Sequence, residues 1–145
     1  MSTGLAVFDT TVQETNEWLR DLETQLPPCR RQHAYEALRT VFHVLRDRLT
    51  IDAVLGLSAQ LPMLLRGVFM EGWQAKPPSG LRDPAALAKA VAERLPPHFP
   101  REAPGVAEAV FRVMANRLDP GEIAKIVHQL PMPLRAMWPE PSRAD

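Results

Sequence analysis

The chain has 145 residues, 46% of them hydrophobic, which is enough to fill one ordinary core and excludes a chain disordered throughout. Its 17 basic and 17 acidic residues cancel and the isoelectric point lies near 6.9, so no global field steers the protein toward nucleic acid or an anionic membrane. Cys29 is the single cysteine, which excludes an intramolecular disulfide.

The residues from Met1 to Phe8 lack the basic start and apolar run of a signal peptide, and Asp9, Glu14 and Glu17 follow at once. Together with the lone cysteine this predicts a soluble, cytoplasmic protein. The most apolar stretch, residues 51–70, is interrupted by Asp52, Gln60, Pro62 and Arg66, short of the roughly 20 apolar residues of a membrane span.

Apolar residues recur three and four apart along most of the chain, and no stretch alternates as a strand would, so the expected fold class is all-α. Val12, Thr15, Leu19, Leu22 and Leu26 predict a helix over 11–26, with Thr10 and Gln13 as a capping box and Pro27 and Pro28 as its stop. A second helix over 31–49 places Ala34, Leu38, Val41, Leu45 and Leu49 on one face and Arg39, Arg46 and Asp47 on the other. Thr50 caps a short third helix carrying Ala53, Val54 and Leu57, and Pro62 opens a fourth with Met63, Leu65, Val68 and Phe69.

Residues 72–82 read as a linker. Asp83 and Pro84 then start a helix with Leu87 and Val91, Pro104 opens another with Val106 and Val110, and Asp119, Pro120 and Glu122 mark a third. Pro131 opens the last helix, which ends before Pro139, and residues 140–145 read as a disordered tail.

The second series repeats the first. Gln60-Leu61-Pro62-Met63 returns as Gln129-Leu130-Pro131-Met132, 69 positions on. The same spacing sets Leu26-Pro27-Pro28 on Leu95-Pro96-Pro97, Val41-Phe42 on Val110-Phe111, Arg48-Leu49 on Arg117-Leu118 and Leu65-Arg66 on Leu134-Arg135. The expected architecture is therefore one domain over 1–145 made of two four-helix repeats, 9–71 and 83–139, related by an approximate two-fold axis.

Several of these motifs, with Glu71-Gly72-Trp73, carry a resemblance to a known family. The resembling residues include Thr15-Asn16-Glu17-Trp18-Leu19, Leu45-Arg46-Asp47-Arg48-Leu49 and Ala59-Gln60-Leu61-Pro62-Met63. Across nearly its whole length the chain resembles the bacterial family called domain of unknown function 2267. The resemblance implies a helical, cytosolic, stand-alone protein and supplies no catalytic residues.

Candidate chemistry is sparse. The duplicated arginines, Arg48 with Arg117 at the ends of the long helices and Arg66 with Arg135 on the short ones, either hold an anion or a partner's carboxylate near proline-opened helix starts or tie their own repeats together through a carboxylate or open helix-end carbonyls. Gln60 and Gln129 either reach a ligand or satisfy backbone groups at the helix junctions. Trp73 either packs into the seam between repeats or anchors a partner.

His33, His43, His98 and His128 lack metal-site spacing, and no cofactor or metal is expected. Cys29 lies beside Arg30 and Arg31, which would lower its pKa, so a reactive or redox-sensing thiol is the third alternative. No hydrolase, kinase or phosphate-loop motif occurs. The expectation is a non-enzymatic module that binds another protein or itself through an apolar surface near the proline-opened helices. The runner-up is a binder of a small anionic ligand, with a pocket between the repeats.

Overall fold

The computed structural model describes residues 2–143, and every regular element among them is a helix. Helix α1 spans Ala6–Gln25, α2 Arg31–Arg48, α3 Ile51–Gln60 and α4 Met63–Met70. After the segment 71–83 come α5 Pro84–Arg94, α6 Ala103–Arg117, α7 Pro120–Gln129, α8 Met132–Arg135 and α9 Glu140–Arg143.

The starts follow from local chemistry. Thr50 Oγ1 accepts the Ala53 N–H at 3.2 Å, Asp83 Oδ1 that of Ala86 at 2.8 Å, and Asp119 Oδ2 that of Glu122 at 3.1 Å. Each bond satisfies one of the N–H groups that a helix start leaves open. Pro62 and Pro131 stand at the N-caps of α4 and α8, where the missing N–H costs nothing.

Helix α1 begins more than a turn before the expected residue 11, which leaves Thr10 and Gln13 in its interior rather than at a cap. The start is set instead by Asp9, whose Oδ1 accepts the Thr3 N–H at 2.6 Å and whose charge lies in the first turn, at the positive end of the helix. The bond to Thr3 holds the Asp9 carboxyl below its ordinary value.

Helix α2 lies at the centre, packed against α1, α4, α5 and α6. The expected core stripe Ala34, Leu38, Val41, Leu45 and Leu49 is buried. Arg46, expected on a solvent face, is buried as well, because a helix with neighbours on four sides has little such face left. Helix α1 packs on α2 and also on α6, α5 packs on α6 and also on α2, and α3 meets α7. One hydrophobic cluster runs through both halves of the chain, from Trp18 and Phe42 to Phe111 and Trp138.

The segment 71–83 is not a free tether. Gly72, at φ 69°, turns the chain out of α4 in a conformation that favours glycine, and the Trp73 N–H donates to the Met70 carbonyl at 3.0 Å. Further on, the Ser79 N–H donates to the Asp47 carbonyl at 2.7 Å and Arg48 Nε to the Leu81 carbonyl at 2.6 Å, so the segment closes the open end of α2.

Residues 140–143 of the expected disordered tail form α9, which packs on α7. Residues 144 and 145 lie outside the described residues. The ordering has a local cause: Arg143 Nε donates to the Trp138 carbonyl at 2.8 Å, and Ser142 is buried.

Candidate functional site

Arg66 and Arg135 turn back onto their own helix junctions. Arg66 donates from Nε to the Ser58 carbonyl at 3.1 Å and from Nη2 to the Leu61 carbonyl at 3.2 Å. Arg135 donates from Nε to the Leu130 carbonyl at 3.0 Å and from Nη2 to the His128 carbonyl at 2.8 Å. Each guanidinium fork thus meets backbone carbonyls where α3 and α7 end.

The two glutamines part company. Gln129 Oε1 accepts a bond from Thr50 Oγ1 at 3.3 Å, joining the end of α7 to the start of α3. Gln60 is exposed and lines an open cleft of about 380 Å³ with Glu14, Glu17, Trp18, Pro62 and Arg117. Neither Arg66 nor Arg135 borders that cleft. Trp73 is half-buried and packs against the core.

The cleft lies between the halves, and its electrostatics are set by Arg117. That guanidinium donates to Asp21 at 2.8 Å and to Glu17 at 3.3 Å, and these bonds raise its pKa above the ordinary value, with Asp21 the larger cause. With Arg117 committed to two carboxylates and Glu14 also on the wall, the site does not favour an anion. Repetition singled out Arg117 in the sequence, but its carboxylate partners lie on α1 of the other half rather than in its own.

A second region is apolar. Leu5, Phe8 and Val12, three and four apart at the start of α1, are 53%, 45% and 38% exposed, and Val7 is exposed beside them. Val12, expected in the core, faces out because α1 is covered along the neighbouring stripe of Thr11, Thr15, Trp18 and Leu22. The Leu64 N–H donates to Thr11 Oγ1 at 2.8 Å, which sets the first turn of α4 against α1 within a turn of Phe8. Met63 and Leu64 of that turn are exposed too. Sequence reasoning singled out Met63 but missed the α1 stripe, because apolar residues at helical spacing read as core whether or not a neighbour covers them.

The thiol and two of the histidines sit in or against the fold. Cys29 is buried, and burial pushes its thiol up, opposed by the charge of Arg101 rather than of Arg30 or Arg31. His33 Nδ1 accepts the Arg30 N–H at 3.0 Å at the start of α2. His43 is buried with Nε2 2.8 Å from the Val68 carbonyl; burial is the main cause that lowers its pKa, so the neutral ring donates that bond. Among the described residues no group of three or more His, Cys, Asp or Glu is placed to hold a metal ion. No helix is long and apolar enough to cross a membrane.

No curated protein matches the chain. The profile of one family, described as "Uncharacterized conserved protein (DUF2267)", matches residues 15–141, from the middle of α1 into α9. On that match the chain belongs to the DUF2267 family.

Proposed function

We propose that the chain is a non-enzymatic interaction module that pairs with a second copy of itself through the face made by the start of α1 and the first turn of α4. The observation that carries this is the uncovered stripe Leu5, Phe8 and Val12 beside the ledge of Met63 and Leu64. A stripe and a ledge on one surface are self-complementary: a two-fold-related copy lays its stripe on the other's ledge and receives the same in return. Interfaces of ordinary size cover about 800 Å² per partner with an apolar centre and a polar rim. Here the exposed apolar side chains make the centre, and Gln13 and Glu14 lie at the rim.

Sedimentation equilibrium tests the reading. The chain should form dimers, and Phe8→Glu or Leu64→Glu should make it monomeric with its circular dichroism unchanged. A chain that stays monomeric at all concentrations, or dimers that survive both substitutions, would overturn it. Binding of a helix from a different protein at the same face, without dimers, would replace the second copy as occupant.

The module is further read as one helical unit duplicated, over 9–71 and 83–139. Supporting this, α3 and α7 begin and end 69 positions apart, and Arg66 and Arg135 each donate to the carbonyl of the equivalent leucine, Leu61 or Leu130, though from different nitrogens. The packing of α1 on α6 is answered by that of α5 on α2. An experimental structure in which residues 14–69 fail to superpose on 83–138 by a rotation of roughly 180°, as a two-fold requires, would remove it. The cytoplasm is the compartment this reading assigns, and cell fractionation tests it.

A further inference from the structure

An open cavity of about 320 Å³ lies between α6 and the α8–α9 turn, lined by Glu108, Arg112, Asn116, Met137, Trp138 and Arg143, among others. Arg112 and Arg143 form no ion pair with a carboxylate among the described residues. Arg112 Nη1 donates to the neutral Gln25 Oε1 and Arg143 Nε to the Trp138 carbonyl, so among the described residues neither guanidinium is bonded to a carboxylate. Trp138 is 1% exposed, and its indole N–H meets no acceptor among the described residues. A buried donor without an acceptor is costly, and this ring is part of the cavity wall, where a ligand could bring one.

The corresponding place in the first half shows what such a position takes. Residues 39, 43 and 69 correspond to 108, 112 and 138 at the spacing of 69. There the chain supplies its own carboxylate: Glu71 accepts from Arg39 Nε at 2.8 Å beside Phe69, and the Phe69 carbonyl is met by the buried Arg46. In the second half Glu140 stands 69 positions after Glu71 but makes no bond to this cluster, and two guanidiniums face the cavity instead.

We propose that this cavity binds the oxyanion of a small organic molecule, a carboxylate or phosphate on a compact apolar body. Arg112 and Arg143 hold the charge, with the planar forks suited to such oxygens, and Asn116 offers an amide donor. Met137 and Pro139 give the body an apolar wall. Glu108 is the single carboxylate on the wall; it is exposed, so solvent screens it, and it weakens the site without cancelling two cations.

The test is a titration of the ¹⁵N-labelled full chain with benzoate and with phenyl phosphate, sodium chloride serving as the ionic-strength control. The Trp138 indole N–H resonance, assigned with Trp138→Phe, should shift saturably while those of Trp18 and Trp73 stay. The ligand that saturates it tells carboxylate from phosphate. Arg112→Gln, which leaves the bond to the Trp138 carbonyl in place, should weaken binding roughly tenfold, and Glu108→Gln should strengthen it. The site is wrong if neither compound gives a saturable shift, if all three indoles move together, or if an Arg112→Gln, Arg143→Gln double variant binds unchanged. Because the Phe8→Glu variant should bind as well as the parent, failure here and failure of the dimer are separate results.

Discussion

The ends of α4 and α8 face the same physical problem and solve it differently. A large aromatic ring is buried in the core at each, Phe69 in the last turn of α4 and Trp138 in the turn that follows α8. Phe69 meets Phe42 edge-on, centroids 5.4 Å apart, whereas Trp138 stacks flat on Phe111 at 4.2 Å. Each ring's carbonyl lies past the helical bonds and needs a donor. Phe69 receives it from Arg46, buried in α2, and Trp138 from Arg143, exposed on α9. Ala115 stands 69 positions after Arg46, so the second half has no arginine there and the bond comes from α9 instead. The same kind of bond is thus made by different residues in the two halves, and the open cavities beside them differ in charge: Arg39 faces Glu71 in the first, whereas Arg112 and Arg143 line the second.

Removing the rings breaks the comparison most severely. Phe69→Ala and Trp138→Ala should each cost about 3–5 kcal/mol, the range for a fully buried aromatic. Because α1 rests on α6 and α5 on α2, either loss should lower the whole chain's stability in one cooperative transition. Urea unfolding followed by circular dichroism and by tryptophan fluorescence checks this. Two separated transitions would mean that the halves fold independently.

The donors come next. Arg46→Met leaves the carbonyls of Phe69 and Glu71 without their bonds of 2.7 and 2.6 Å, and should cost about 2–3 kcal/mol. Arg143→Met should cost about 1 kcal/mol or less, because solvent reaches that end of the chain. Equal losses in urea unfolding would show that α9 is as firmly built in as α2.

This asymmetry also marks the limit of what could be read from the residues. Helix starts were legible, since Thr50, Asp83 and Asp119 act on N–H groups three residues away, and so was the core stripe of α2. Arg46 was misplaced because its partners lie 23 and 25 residues on, and an arginine opposite an apolar stripe looks the same whether solvent or α4 covers it. The short tail read as disordered for a related reason: one bond from Arg143 and the burial of Ser142 order it, and neither is periodic. At the site, Arg66 and Arg135 were conspicuous by repetition, yet repetition marks a shared structural task as readily as a shared ligand. The apolar start of α1 lacks a counterpart in α5, so neither repetition nor periodicity could reveal that it is uncovered.

Acid should sharpen the difference between the halves. His43, whose counterpart at 112 is an arginine, is kept neutral in the folded protein by burial and by the charges of Arg46 and Arg39, against the opposing pull of Glu71. Its folded pKa lies below the ordinary 6.5, so as pH falls through that value the unfolded chain takes up a proton that the folded one resists. The contribution to stability is therefore complete above about 6.5 and is lost as the pH drops toward the folded pKa. His43→Gln keeps a donor for the Val68 carbonyl and does not titrate. Stability of the parent should fall more steeply than that of the variant between neutral and mildly acid pH, and parallel profiles would refute the assignment.

The smallest effect belongs to Arg39, although its bond to Glu71 is short, 2.8 Å. The two side chains are 42% and 55% exposed, so water competes for both partners, salt screens them, and holding two flexible chains in one geometry offsets most of the attraction. The mutual rise of the Arg39 pKa and fall of the Glu71 pKa report that the pair forms, not that it stabilises the fold appreciably. Arg39→Gln should therefore leave the urea midpoint nearly where it was, and any difference from the parent should vanish in high salt. Arg46, about two turns further along α2 and buried, should show no such salt sensitivity when replaced. If Arg39→Gln were as costly as Arg46→Met, the carboxylate of Glu71 would be holding the end of α4 in place, and the backbone bonds from Arg46 would be the lesser part of that closure.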